Sequence, residues 1–170
     1  MSDREGALPP ALEEHLSHIR SRRGLADEAP QQGLIADPCE QGDEHYANAN
    51  ERLGIDFSVR RLDFPEIQVM DPRVVRIAPG QSNERHKHAH ESIFVVLSGV
   101  GEVLVGDQRH PVRSGEVAFV PRWYFHQTCN TSVTEDLVVL AITDFGLTSA
   151  VLGDYDRKTR LTERGEDSEE

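Results

Sequence analysis

Between Asp56 and Thr143 the chain is a succession of short apolar alternations separated by turn-forming pairs. Phe57 and Val59 alternate with polar neighbours, as do Ile67 and Val69, then Val75 and Ile77. Further runs follow at 93–97, 101–106, 108–113, 116–121 and 136–143, with Gly106-Asp107, Ser114-Gly115 and Asn130-Thr131 as turns. Short strands punctuated at intervals of roughly 8 to 12 residues predict an all-β sandwich or barrel. No internal repeat divides the stretch, so a single barrel is expected.

The flanks read differently. Residues 1–8 lack any apolar pattern and are expected to be disordered. Pro9 and Pro10 then open a helix, since proline suits a first turn in which the missing N–H is not used. Leu12, His15, Leu16 and Ile19 recur at helical spacing, with Glu13 and Glu14 early and Arg20, Arg22 and Arg23 late, before Gly24. That order of charge complements the helix dipole, and the arginines are read as a solvated helix end. Residues 25–42 read as loop. A second helix is predicted from Asp43 to Leu53, capped by Asp43, stopped by Gly54 and burying Tyr46 and Leu53. The expected organisation is an extension over 1–55 with one or two helices, a barrel over 56–150, and a final segment over 151–170. That last part holds one possible edge element and a disordered acidic tail.

With 30 acidic against 18 basic residues, the formal net charge is −12. This balance argues against binding nucleic acid or an anionic membrane, both of which need clustered Lys and Arg. Cys39 and Cys129 are too few and too isolated for a disulfide framework or a zinc ribbon. No apolar run approaches membrane-spanning length, and MSDREGALPP lacks the order of a signal peptide. The expectation is a cytoplasmic protein.

Chemistry concentrates in the stretch 80–99, which carries His86, His88 and His90. On a strand, His86 and His88 share a face, so both imidazoles can reach one divalent cation. His126 stands five residues after Pro121, within GEVAFVPRWYFHQTCN. A glycine turn, an apolar strand, a proline and a lone histidine can aim that imidazole back into a barrel.

In these two stretches the chain resembles the cupin superfamily. Gly80, His86, His88 and Gly99 fall in register with the first cupin motif, and Gly115, Pro121, His126 and Asn130 with the second. The short spacer 100–114 is that of small bacterial cupins, and the resemblance covers roughly residues 72–143. It implies a single cupin barrel, a double-stranded β-helix or jelly roll, behind a helical N-terminal extension.

Two positions depart from the motifs. Ser92 stands where the acidic ligand belongs; neighbouring Glu91 faces the other way on a regular strand and would need a bulge to reach a metal. Trp123 stands where the second motif has glycine, so its ring is expected to narrow the pocket or stack on a ligand. The resemblance therefore implies a three-histidine metal site of His86, His88 and His126, with Ser92, Glu91 and His90 as further possible ligands. Iron(II) is the expected ion, with zinc, nickel, manganese or copper as alternatives. Three neutral ligands leave its charge uncompensated and about three of six octahedral positions open, which suits an anionic, chelating small molecule.

Around that centre, Tyr124, Trp123, Phe94, Val96, Phe119 and Gln127 are expected to line the pocket. Arg85 and Arg122 flank the ligands and are candidates to clamp a substrate carboxylate, although salt bridges to surface acids explain them equally well. Tyr124, Arg122 and Glu91 are the candidate catalytic residues. His15, His18, His45 and His110 read as surface histidines, and Cys129 as a small core residue.

Three classes of function follow: a non-haem Fe(II) dioxygenase or oxidase, placed first; a redox-neutral metal-dependent lyase or isomerase; and a non-catalytic ligand-binding cupin. The N-terminal extension is longer than a minimal barrel needs. It is expected to cover sheet edges across a homodimer.

Overall fold

The structure, a computed structural model, describes residues 10–22, 32–40 and 42–152. The expected disorder at 1–8, residues 25–31 and 41 of the 25–42 loop, the Arg23-Gly24 helix end and the acidic tail lie outside the described residues. Among the described residues, helix α1 (Pro10–Arg22) precedes nine strands. These are β1 (Asp43–Asn50), β2 (Ile55–Arg61), β3 (Asp71–Ile77), β4 (Ser92–Ser98), β5 (Val100–Val105), β6 (Gln108–Arg113), β7 (Val117–Val120), β8 (His126–Asn130) and β9 (Leu137–Thr143). Helix α2 (Phe145–Leu152) ends the described chain. No helix among the described residues is long and apolar enough to cross a membrane.

The strands form a six-stranded sheet, β1-β2-β3-β9-β4-β7, and a three-stranded sheet, β6-β5-β8. Every pairing between named strands is antiparallel. Isolated bridges join the sheets, one of them between His86 and His126. Period-2 alternation does the sorting. Ser92, Phe94 and Val96 are buried while Ile93 between them is half exposed. The inward set, including Phe57, Ile77, Val96, Val103, Val120 and Leu137, forms the core between the sheets. A smaller cluster of Leu62, Val74 and Val138, with Phe64 and Leu140 against it, covers the outer face of β3 and β9.

Gly99 shows why the first motif ends on glycine. Its φ of 87° is in the left-handed region, and a Cβ there would stand 2.5 Å from the Asp136 carbonyl oxygen.

The helix expected over Asp43–Leu53 is replaced by strand β1 followed by one 3₁₀ turn, Glu51–Leu53. Asp43, His45, Tyr46, Asn48 and Asn50 are all weak helix formers, whereas the edge of β2 offers pairing from Asp43↔Arg61 to Asn50↔Ile55. The stop at Gly54 is real but closes only that turn: its φ is 66° and its N–H donates to Glu51 O. Ile67 and Val69 lie in a loop, not a strand, where Pro65 lacks an N–H and Glu66 adopts a φ of 62°. Two elements had no counterpart in the sequence reading, α2 and the polar strand β8, which pairs with β5 from Val105↔His126 to Gly101↔Asn130.

Candidate metal centre

His86 and His88 sit on an irregular loop rather than a regular strand. The loop is anchored where His86 and His126 exchange backbone hydrogen bonds, 3.0 Å from His86 N to His126 O and 2.8 Å in return. Next along, the Trp123 N–H donates to His88 O at 2.8 Å. These ties draw one ring nitrogen from each of His86, His88 and His126 to within 4.8 Å of one another. His88 and His126 are buried, and His86 is half-buried.

All three rings are oriented in the same manner. Nδ1–H of His86 donates to Glu84 O at 2.8 Å, that of His88 to His90 O at 3.0 Å, and that of His126 to Tyr124 O at 3.0 Å. A carbonyl oxygen only accepts, so each Nδ1 carries a proton, and Nε2 is the ring nitrogen left to hold a metal. Burial, followed by the neighbouring His90, His126 and His86 rings, holds the His88 pKa far below the ordinary histidine value. It is therefore neutral, as a ligand must be.

Ser92 lies beside this triad in the same cavity, 1% exposed, and its Oγ has no hydrogen-bond partner among the described residues. Three converging imidazole nitrogens and one orphaned hydroxyl are a donor set that fits a divalent, borderline transition metal. His90 is also buried and lines the cavity, but it stands outside the converging three. Its ring stacks on His88 at 3.3 Å between centroids while its carbonyl fixes His88 Nδ1.

The cavity has a volume of about 710 Å³, in the range of small-ligand sites. Phe57, Val59, Val75, Phe94 and Ala141 supply apolar wall; Arg73, Glu84 and Thr143 are among its polar lining. Phe94 therefore lies where its parity predicted. Val96 points inward too, but into the core cluster.

Several other expected pocket residues lie elsewhere. Phe119 is opposite Ile93 on β7, and both face outward and are exposed. Trp123 and Tyr124 are more than half exposed and do not line the cavity. Gln127 alternates away from His126 and donates to Ser82 Oγ and Asn83 O. Arg85 packs over Phe125 and approaches Asp107. Glu91 is exposed and pairs with Arg122 at 3.5 Å. Arg122 also donates to Asp144 and, at 2.7 Å, to the carbonyl of Ala89. It thereby braces the backbone between His88 and His90. Closeness in sequence to a ligand motif does not decide these side chains; strand parity and loop ties do.

The sequence reading missed Arg73, Tyr46, Glu84, Thr143 and Phe145, all of which line the cavity. Arg73 had a signal: it shares parity with Val75 and Ile77. Glu84 is 6% exposed and accepts hydrogen bonds from Tyr46 Oη and Asn48 Nδ2, each at 2.6 Å. Those donors come from β1, so reading that segment as a helix hid them.

Comparison with known proteins agrees with this geometry. The cupin domain model matches residues 73–143. The beta-alanine degradation protein BauB of Pseudomonas aeruginosa is 31% identical over 91 residues, 49% of this chain and 95% of that protein. A 1-hydroxy-2-naphthoate 1,2-dioxygenase of Nocardioides sp. is 29% identical over 80 residues, 47% of this chain. Only 21% of that relative's own length is spanned. Among solved structures, a cupin-2 domain protein from Rhodospirillum rubrum superposes with a TM-score of 0.58 at 18% identity, over 81% of this chain and 84% of that one. With the barrel, the two motifs and their converging histidines in place, the chain belongs to the cupin family.

Proposed function

We propose that this cupin is a non-haem Fe(II) dioxygenase or oxidase acting on a small, chelating, anionic substrate. The observation that carries the reading is the donor set: three imidazoles, each locked by a backbone carbonyl, facing a cavity of about 710 Å³ with no carboxylate in the converging set. The likeness to a naphthoate dioxygenase supports it.

Iron(II) held by His86, His88 and His126 would supply Lewis acidity and the capacity to react with O2. The protein's own contribution is orientation and exclusion of water. The carbonyls of Glu84, His90 and Tyr124 set the ring planes, and Arg122 with Glu91 holds the intervening loop. Phe94, Val59 and Val75 present a dry wall to the organic part of the substrate. Ser92 Oγ is available to hydrogen-bond a ligand beside the three nitrogens. In the same reading the protein acts as a homodimer.

The test is anaerobic loading with Fe(II), followed by O2 uptake across a panel of hydroxy acids, catechols, thiols and diketones. Uptake coupled to substrate loss is expected, and absent in a His126→Ala variant. Turnover without O2 that persists with Zn(II) would replace this reading with a lyase or isomerase.

A further inference from the structure

Strand β3 brings a guanidinium into the cavity at a position that the metal ligands do not use. With Val75 and Ile77 facing inward, alternation carries Arg73 inward as well, and it lines the cavity with its side chain 17% exposed. Arg73 uses Nε, at 2.7 Å, and Nη2 to bind Asp71 Oδ2. Asp71 is fully buried, and its Oδ1 lies 2.9 Å from Arg61 Nε as an ion pair without a hydrogen bond. Arg61 in turn is part-exposed and 3.7 Å from the solvated Asp63. One edge of the Arg73 guanidinium is thus fixed by the buried carboxylate, and one face is 5.0 Å from the Phe145 ring centroid. The remaining nitrogen, Nη1, makes no hydrogen bond among the described residues. A planar cation held on one edge and one face, with donors to spare in a cavity, is built to receive an anion.

Its distance from the histidines decides which anion. Along the cavity wall His88 stacks on His90 at 3.3 Å, His90 meets Phe145 at 5.5 Å, and Phe145 meets Arg73 at 5.0 Å. Along this path two rings, His90 and Phe145, intervene between Arg73 and His88. Across the sheet, Phe94, Ala141 and Arg73 occupy one row on β4, β9 and β3. Arg73 is two strand spacings, about 10 Å, from the Phe94 backbone. The middle position is alanine, which leaves the lane between them open. Glu84 also lines the cavity and disfavours a substrate with negative charge throughout.

We infer that Arg73 is a specificity-determining residue for a substrate carboxylate that is distinct from the metal-chelating group. The substrate class is a monocarboxylic acid whose chelating head, such as a catechol or enediol, is separated from the carboxylate by an apolar body about one ring long. The carboxylate pairs with Nη1 of Arg73, the body lies against Phe94, Val75 and Ala141, and the head reaches the histidines. This rests on the proposed metal site but not on the oxygenase reading.

The test is a calorimetric titration of the full-length protein, loaded with Zn(II) so that no turnover intervenes. The probes are 3-(3,4-dihydroxyphenyl)propionate and its carboxamide. The native protein should favour the acid over the amide by about 10- to 100-fold, the size of a charge-assisted hydrogen bond. In Arg73→Gln that ratio should fall to within about three-fold, with the amide bound as before. Arg73→Lys, which keeps the charge beside Asp71, should retain an intermediate preference and controls for loss of folding. A preference that survives in Arg73→Gln would overturn the inference, as would native protein that binds the acid no more tightly than the amide. Failure of the O2 assay alongside an Arg73-dependent preference would overturn only the oxygenase reading.

Discussion

Ser92 sits where the cupin motif carries its acidic ligand, and its surroundings make the replacement testable. A buried hydroxyl without a partner costs free energy that an alanine would not. Ser92→Ala is therefore expected to leave stability unchanged or raise it by about 1 kcal/mol in urea denaturation of the metal-free protein. Ser92→Asp should act oppositely in the two states. It buries a carboxylate and lowers metal-free stability by about 1–3 kcal/mol, then recovers that loss on binding Zn(II) or Fe(II), with tighter metal affinity in chelator competition. Equal stability losses with and without metal would show that position 92 does not face the ion. Trp123 is the other departure. Its φ of 62° is a conformation that glycine adopts freely, so Trp123→Gly should gain about 1 kcal/mol with metal content unchanged. At this scale the ligands were legible because two motifs fix them by spacing. Arg73 was legible by parity alone, and Tyr46 and Glu84 were not, because their pairing depends on a strand contact 38 residues apart in sequence.

Between residue and barrel, the contact that matters for the site is the docking of α2. Gly146 packs so tightly against the loop before β3 that a Cβ would fall on the Gln68 carbonyl. Gly146→Ala should thus displace Phe145 from the cavity, lower stability by about 1–3 kcal/mol, and weaken binding of the carboxylate probe more than metal binding. Just before it, Asp144 accepts the Glu91 N–H at 2.8 Å and two hydrogen bonds from Arg122. Burial alone would raise its pKa; the bonds from Arg122 and the Glu91 N–H outweigh burial and hold it below the ordinary carboxylate value. A depressed folded pKa means that the tie's contribution is complete above about pH 4 and is lost as pH falls through the folded value. The pair is open to solvent, so that contribution is about 1 kcal/mol or less. Melting temperatures of the native protein and Asp144→Asn should differ by a constant amount from pH 5 to 8 and converge in stronger acid. Helix α2 escaped the sequence reading because FGLTSAVL is apolar on every side and carries no capping contrast of charge. Its helical state is set by where it docks.

For the molecule as a whole, alternation and turn pairs made the barrel legible, while the extension was misread because its structure depends on a partner strand. Strand β1 is an edge: it closes one end of the six-stranded sheet, pairs only with β2 among the named strands, and is largely exposed. It is eight residues long and holds no proline, so it lacks one of the common devices that keep an edge from pairing with another chain. It also carries Tyr46 and Asn48, which hold Glu84 in the cavity. Pairing of β1 across a two-fold axis would therefore stiffen the site as well as cover the edge. With a formal net charge of −12 on each copy, mutual repulsion should make association tighter as salt rises, opposite to an interface held by complementary charge. Sedimentation equilibrium is expected to give twice the 19.0 kDa chain mass at micromolar concentration, with dissociation favoured at low ionic strength. Amide exchange along Asp43–Asn50 should slow with protein concentration while that of the buried β9 stays constant. A chain mass that remains single across the salt range, with β1 exchange independent of concentration, would leave the edge open and the cavity complete within one copy.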